Sequence, residues 1–186
     1  MNLTEAIKGR RSVRRYTEQQ LDKNIVDKLL NAAIQAPTAT NAQPWAFSVV
    51  QNPKLLKQFS DAAKKQLLEV AEQNPQLEKY RPALSKPAFN IFYNAQTLIV
   101  IYGKSDTPHP IEDCSMAAQN LMLTAHSLGL GTCWIGFALP FLSLPETKRL
   151  LNIPADYIPV APLIIGYPDG TMPLIEKSPP KIFSWQ

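Results

Sequence analysis

The chain has 186 residues, enough for one domain, and 45% of them are hydrophobic, which excludes a chain that stays disordered for lack of a core. Seven glycines exclude a collagen-like protein. The net charge of +4 is uneven, because residues 1–15 hold five cations against one anion, Glu5. Such a local cluster favours binding of a small anion, such as a phosphate, over binding of a long polyanion.

The first half of the chain alternates between helical and extended patterns. Apolar residues repeat at helical spacing up to Pro37, and the Asn52-Pro53 pair is typical of a helix start. The predicted elements are helices over residues 3–8 and about 21–36, a strand over residues 45–50, and a helix over about 53–72.

Residues 74–95 are harder to interpret, because three prolines break any long helix there. Four aromatic residues are scattered through the segment: Tyr80, Phe89, Phe92 and Tyr93. Two interpretations stay open. The segment is either a mobile excursion that covers a ligand and contacts the substrate, or a surface loop pinned by its aromatic side chains.

The second half predicts most of the core. The predicted elements are a buried strand over residues 98–102, a helix over 111–128, a short strand over 133–135, a helix over 144–151, an extended segment over 157–166 and a proline-rich tail. The helix over 111–128 is apolar almost all round, so it needs burial on more than one side, in the domain centre or at a subunit interface. Helices that alternate with strands indicate an α/β or α+β fold in layers, within a single domain over residues 1–186.

Several individual residues have ordinary structural interpretations. Cys114 and Cys133 lie 19 residues apart without other metal-ligating residues, so we interpret them as buried apolar groups and expect no disulfide or metal site. His126 is interpreted as a core or interface histidine, and Asp113 as an acidic residue that stabilises a helix dipole. The sequence lacks a secretory signal and a membrane-spanning run, which predicts a cytoplasmic protein.

Two motifs in the first half carry groups that could bind a ligand. Residues 10–14, RRSVR, place three guanidinium groups and one hydroxyl where they fit a phosphate. The alternatives are a solvated basic segment or a nucleic-acid-binding arm. Residues 36–45, APTATNAQPW, set two hydroxyls and two amides between prolines, which suits the donors and acceptors of a planar heterocycle. The alternative is a turn that leads into the next strand.

Two further motifs lie in the second half. Residues 129–136, GLGTCWIG, combine glycines that permit close approach of a ligand with Trp134, which could pack beside a ring. Their spacing is not that of a dinucleotide-binding motif, and the alternative is a helix C-cap before a strand. Residues 165–170, IGYPDG, precede Lys177 and Lys181, either of which could close on a phosphate or be an ordinary tail charge.

In this order, the four motifs and the long apolar helix resemble the nitroreductase family of FMN-dependent oxidoreductases. The resemblance covers nearly the whole chain, and residues 74–95 fit the family least well. It implies an α+β fold with a central mixed or antiparallel sheet flanked by helices. It also implies a homodimer with the long helix at the interface and two FMN molecules, each touching both chains.

The resemblance also implies which residues bind FMN. The arginine motif and Lys177 would hold the phosphate and ribityl chain, the second motif would reach the flavin from the partner subunit, and the third would line the isoalloxazine ring. Asn90 would be a further flavin or substrate neighbour. The implied set is Arg10, Arg11, Ser12, Arg14, Thr38, Asn41, Gln43, Cys133, Trp134, Ile135, Gly136 and Lys177.

The implied chemistry is carried by the flavin, so no catalytic side chain and no metal are expected. NAD(P)H would reduce FMN, and a nitroaromatic, a quinone or a related small acceptor would then take the electrons at the same site. One alternative is specialised flavin chemistry on the same fold, such as dehalogenation, flavin fragmentation or enal reduction. Another is a non-catalytic flavin-binding protein. A nucleic-acid-binding module is disfavoured, since the cationic cluster has no aromatic residue except Tyr16 at its edge, and no membrane partner is expected.

Overall fold

A four-stranded sheet forms the middle layer of the structure, a computed structural model that describes residues 1–173 and 175–186. Its strands are β1 (Trp45–Val50), β2 (Thr97–Lys104), β3 (Gly131–Trp134) and β4 (Tyr157–Gly166). Their order across the sheet is β1-β2-β4-β3, and each neighbouring pair is antiparallel. This topology confirms the α+β class and resolves the choice left open by the alternation of elements.

Helices cover both faces of the sheet. They are α1 (Leu3–Gly9), α2 (Lys23–Ala33), α3 (Pro53–Ala71), α4 (Pro75–Glu78), α5 (Arg81–Leu84), α6 (Pro110–Ser127), α7 (Leu139–Leu142) and α8 (Pro145–Leu150). Helices α2 and α6 pack on one face of the sheet, and α3, α5 and α7 pack on the other. The result is a three-layer arrangement with one hydrophobic core on each side of the sheet.

Strand β2 shows why the central strands consist of consecutive apolar residues in the sequence. Ile99 and Ile101 belong to the core under α6, while Leu98, Val100 and Tyr102 belong to the core under α3. Because both faces of the strand are covered, both sets of alternating side chains are apolar. The pairing of β2 with β4 shifts register between Ile101 and Tyr102.

Most predicted elements are present, with differences at their ends. Helix α2 is shorter than predicted: the Asp22 side chain caps its start by accepting a hydrogen bond from the Ile25 N–H at 2.8 Å, and it ends at Ala33. Residues 74–95 contain two short helices, α4 and α5, each with a proline in its first turn. Helix α7 was missed, because a four-residue helix is too short to show a periodic pattern.

Helix α6 is the long apolar helix predicted from the sequence. Ala117, Ala118 and Leu121 are fully buried, whereas Met116 and Ile111 keep 38% and 57% of their surface exposed. A single copy of the chain therefore buries only part of the helix. In the described ranges, no helix combines the length and hydrophobicity needed to cross a membrane.

Candidate functional site

The arginine motif runs along the free edge of β3. The Val13 N–H donates to the Thr132 carbonyl at 2.9 Å, and the Thr17 N–H donates to the Tyr167 carbonyl at 2.9 Å. This approach requires glycine at residue 131, because a Cβ there would lie only 2.7 Å from the Val13 side chain. This pairing places residues 10–14 directly beside residues 131–136, so the first and third motifs lie next to each other.

A basic cavity of about 300 Å³ lies at the arginine motif. Its lining residues are Arg10, Arg11, Ser12, Arg14, Met172, Pro173, Ile175 and Lys177. Four of these carry a positive charge, and among the described residues none that lines the cavity is acidic. The Nε atom of Arg10 is buried and has no hydrogen-bond partner within the described part of the chain. A buried, unpaired donor among cations suits an anionic ligand.

The C-terminal tail reaches this cavity through Arg11. The Arg11 Nε donates to the Pro173 carbonyl at 3.2 Å, and its Nη1 donates to the Lys8 carbonyl at 2.7 Å. These contacts link the tail to the N-terminal segment and bring Lys177 to the cavity. Lys181 is not among the residues that line it, so Lys177 is the better placed of the two lysines.

An apolar cavity of about 410 Å³ adjoins the basic one. It is lined by Arg14, Tyr80, Ile91, Tyr93, Cys133, Trp134, Ile135, Gly136 and Phe137. Arg14 borders both cavities, so an elongated ligand could occupy the two together. The structure thus brings the third motif beside the first, which is the arrangement that the family resemblance implies.

Four residues of the apolar cavity were not predicted as site residues: Tyr80, Ile91, Tyr93 and Phe137. Three of them come from residues 74–95, so this segment does line a cavity. It is also held by aromatic packing, since Phe92 is fully buried and the rings of Phe89 and Tyr93 meet edge to face with centroids 5.9 Å apart. The aromatic residues in this segment were the sequence feature that could have indicated these positions, but the sequence did not show which of them face the cavity.

The backbone near Tyr93 adopts an unusual conformation. Tyr93 has φ 51° and Asn94 has φ 57°, both in the left-handed region that bulky residues rarely adopt. The guanidinium carbon of Arg14 lies 5.8 Å from the centroid of the Tyr93 ring. Left-handed non-glycine residues cost about 1–3 kcal/mol each and persist only where surrounding contacts enforce them, often at binding sites.

The second motif forms a tight loop of its own. The Thr38 Oγ1 accepts a hydrogen bond from the Gln43 N–H at 3.1 Å, and the Gln43 Nε2 donates to the Asn41 Oδ1 at 3.0 Å. The Asp113 Oδ1 anchors the loop by accepting from the Ala39 N–H at 3.2 Å. The loop therefore gathers the three predicted residues, with the amides of Asn41 and Gln43 exposed to solvent.

This loop lies far from the arginine motif in the same chain. Asp113, which anchors the loop, is in the first turn of α6, whereas His126, in the last turn, packs against Gly9 beside Arg10. Thirteen residues of α-helix span about 20 Å. A single chain thus does not bring Thr38, Asn41 and Gln43 to the basic cavity, and their contact with a partner's ligand stays a prediction.

Burial and nearby charges shift the titration of several groups in this region. Burial lowers the pKa of His126, and Arg11 and Arg10 lower it further. Burial raises the pKa of the Cys133 thiol, against the opposite influence of Arg14. Burial and Asp113 raise the pKa of Cys114 to about 12. Both cysteines are free, and because the pKa of each thiol is raised, both stay protonated at neutral pH, as expected of small buried groups.

Comparisons with known proteins identify the family. The profile of the nitroreductase family matches residues 7–167. A candidate NADH dehydrogenase/NAD(P)H nitroreductase of Methanothermobacter thermautotrophicus is 33% identical, over 100% of this chain and 88% of its own. An iodotyrosine deiodinase of Thermotoga neapolitana is 26% identical, over 92% of this chain and 91% of its own. A solved nitroreductase with bound FMN from Bacteroides fragilis is 26% identical and superposes with a TM-score of 0.82, covering 97% of this chain and 96% of that one.

The chain therefore belongs to the nitroreductase family. Its antiparallel sheet with helices on both faces is the fold that the resemblance implies, and the match extends over almost the whole chain.

Proposed function

We propose that this chain transfers electrons from NAD(P)H, through FMN bound in the two adjoining cavities, to a small acceptor such as a nitroaromatic or a quinone. As a member of the nitroreductase family, it is an FMN-dependent oxidoreductase. The observation that carries the proposal is the pair of cavities joined at Arg14, one basic and one apolar. FMN combines a phosphate with a planar ring, so its two ends suit these two environments.

Particular residues fit the phosphate end of the cofactor. The guanidinium groups of Arg10, Arg11 and Arg14 and the ammonium of Lys177 would neutralise its charge, with Ser12 adding a hydroxyl donor. The Arg10 Nε that lacks a partner among the described residues would gain one. A phosphate would also relieve the repulsion between these neighbouring cations.

Other residues fit the ring. Cys133, Trp134, Ile135 and Gly136 border the apolar cavity and would line one side of the isoalloxazine. Bound FMN supplies the redox chemistry, since its ring accepts a hydride from NAD(P)H and returns the electrons to a second substrate. The chain's part is to orient the ring and exclude water, and Tyr80, Tyr93 and Phe137 offer aromatic faces against which a planar acceptor can stack.

We also propose a homodimer in which each site is shared. A second copy with its α6 antiparallel to the first would bring Thr38, Asn41 and Gln43 of one chain to the basic cavity of the other. Exposed apolar residues support an interface: Leu3 and Ile7 on α1, and Phe183 and Trp185 in the tail, keep 55% or more of their surface accessible. Large exposed apolar side chains of this kind are typical of surfaces that bind another chain.

Reductive dehalogenation is a second candidate, favoured by the iodotyrosine deiodinase among the relatives. It would use the same flavin and differ in the acceptor that enters the apolar cavity. A comparison of a nitroaromatic, a quinone and a halotyrosine as oxidants of the reduced protein separates the two functions.

The spectrum of the purified protein tests the proposal. We expect a yellow protein with flavin absorbance at about 370 and 450 nm, bleached anaerobically by NADH or NADPH and recoloured by a nitroaromatic or quinone. A colourless protein that does not take up added FMN would contradict the flavin assignment. Bound flavin that neither nucleotide reduces would instead indicate a non-catalytic flavin-binding protein.

A further inference from the structure

We propose that Lys64, on α3, is a positioning residue: it holds the segment of residues 86–93 so that Ile91 and Tyr93 form the acceptor-facing wall of the apolar cavity. The proposal rests on the function proposed above for that cavity. Nothing in the sequence marks Lys64, which reads as one of several lysines on an amphipathic helix.

The surroundings of Lys64 are unusual for a lysine. The residue keeps only 7% of its surface exposed, and its Nζ donates to the carbonyl of Phe89 at 2.7 Å. The carbonyls of Lys86 and Pro87 lie within 3.3 and 3.5 Å of the same atom. Burying an ammonium group is costly unless its donors are used. These three carbonyls belong to one segment, and the Asp61 carboxylate on α3 lies 3.5 Å from the same Nζ, so the lysine fastens that segment to α3.

Ser60 provides a second anchor one helical turn earlier. Its side chain is fully buried, and its Oγ accepts a hydrogen bond from the Ile91 N–H at 3.0 Å. Residues four apart lie on the same face of a helix, so Ser60 and Lys64 act on the segment together. Between them they hold the backbone at Phe89 and at Ile91.

These anchors lie directly before the strained part of the segment. Tyr93 has φ 51°, and its ring packs edge to face against Phe89. A bulky residue stays in the left-handed region only while neighbouring contacts enforce it. Loss of the Lys64 anchor should therefore release Tyr93 and change the shape of the apolar cavity.

The basic cavity is held by different contacts. The arginine motif is attached to the edge of β3 through the Val13–Thr132 hydrogen bond, a contact that involves neither Lys64 nor residues 86–93. FMN affinity should therefore respond much less to Lys64 than acceptor binding does. This difference separates a positioning role from a general loss of structure.

The test compares Lys64→Met with Lys65→Met in the FMN-loaded protein. Both variants remove one ammonium from α3, but Lys65 is exposed to solvent. We expect Lys64→Met to raise the acceptor KM by about tenfold with little change in kcat or FMN content, and to speed hydrogen exchange in residues 86–93. Lys65→Met should match the wild type in all four measurements.

A double-mutant cycle with Tyr93→Ala tests the route of the effect. If Lys64 acts through Tyr93, Lys64→Met adds nothing to the KM of the Tyr93→Ala variant. Independent, additive effects on KM would overturn the proposal, and so would unchanged exchange in residues 86–93. If Lys64→Met does not fold, Ser60→Ala replaces it, with the same expected changes. A wild type without flavin or turnover would contradict the proposed function, whereas the exchange measurement tests the anchor independently of activity.

Discussion

Arg10 and Arg14 differ from their neighbour Arg15 in what their side chains face. Arg10 and Arg14 line the basic cavity, whereas Arg15 is not among the residues that line it. The three residues have the same charge and are close in sequence, so composition treats them alike. Their different positions relative to the cavity depend on the pairing of the segment with the edge of β3, which is a contact between distant parts of the chain.

We expect Arg10→Ala and Arg14→Ala each to weaken FMN binding by about 1.5–3 kcal/mol, the contribution of a hydrogen bond to a charged group. This corresponds to a rise in Kd of roughly 12- to 150-fold, measured by titrating the apoprotein against flavin fluorescence. Arg15→Ala is the matched control and should leave Kd close to the wild-type value. Equal losses in all three variants would indicate long-range attraction rather than a defined site.

At the scale of elements, α6 contacts the second-motif loop at its first turn and the N-terminal segment at its last turn. Its first turn carries Asp113, which the sequence analysis assigned to the helix dipole. The structure adds a specific role: Asp113 is 2% exposed, and its Oδ1 accepts from the Ala39 N–H in the loop that holds Thr38, Asn41 and Gln43. No local pattern predicts this contact, because the two residues are 74 positions apart.

Asp113→Ala should lower the free energy of unfolding by about 1–3 kcal/mol, because it leaves the Ala39 N–H without its acceptor. Glu112→Ala is the control: it removes an exposed carboxylate from the same helical turn and should cost less than about 1 kcal/mol, the usual dipole contribution. Urea unfolding at one fixed protein concentration measures both. Equal losses of unfolding free energy in the two variants would indicate that Asp113 only stabilises the helix dipole.

At the scale of the whole molecule, the two ends of α6 carry the two groups of residues that we propose to share one site in a dimer. The loop at one end and the arginines at the other lie about 20 Å apart along the helix. A two-fold arrangement of antiparallel helices would bring unlike ends together twice, which creates two equivalent sites from one interface.

We therefore expect a dimer in sedimentation experiments, and Met116→Lys, on the exposed side of α6, should both dissociate it and weaken FMN binding. Val70→Lys is the control, since Val70 is a similarly exposed apolar residue on α3, across the sheet from α6. It should leave the protein dimeric and yellow. A wild type that is monomeric yet fully loaded with FMN would contradict the shared site.

The sequence predicted the longer elements and the motifs that we propose to bind the cofactor, but it missed the four-residue helices α4, α5 and α7. Apolar periodicity and proline positions are local properties, so helix α3 and strands β1 and β4 follow from them almost residue for residue. The arginine motif and the glycine-rich motif were recognisable because each concentrates its polar or small residues within eight positions.

Other features depend on contacts between distant segments. The strand order joins segments that lie far apart in the chain, and so do the hydrogen bonds of Lys64 to Phe89 and of Ala39 to Asp113. The left-handed Tyr93 lies against Arg14, which comes from the N-terminal segment. A lysine that binds three carbonyls has the same local sequence signal as one in solvent, because its partners are brought to it by packing of the cores. The tertiary arrangement therefore selects which of many equivalent lysines, aromatics and carboxylates shape the site.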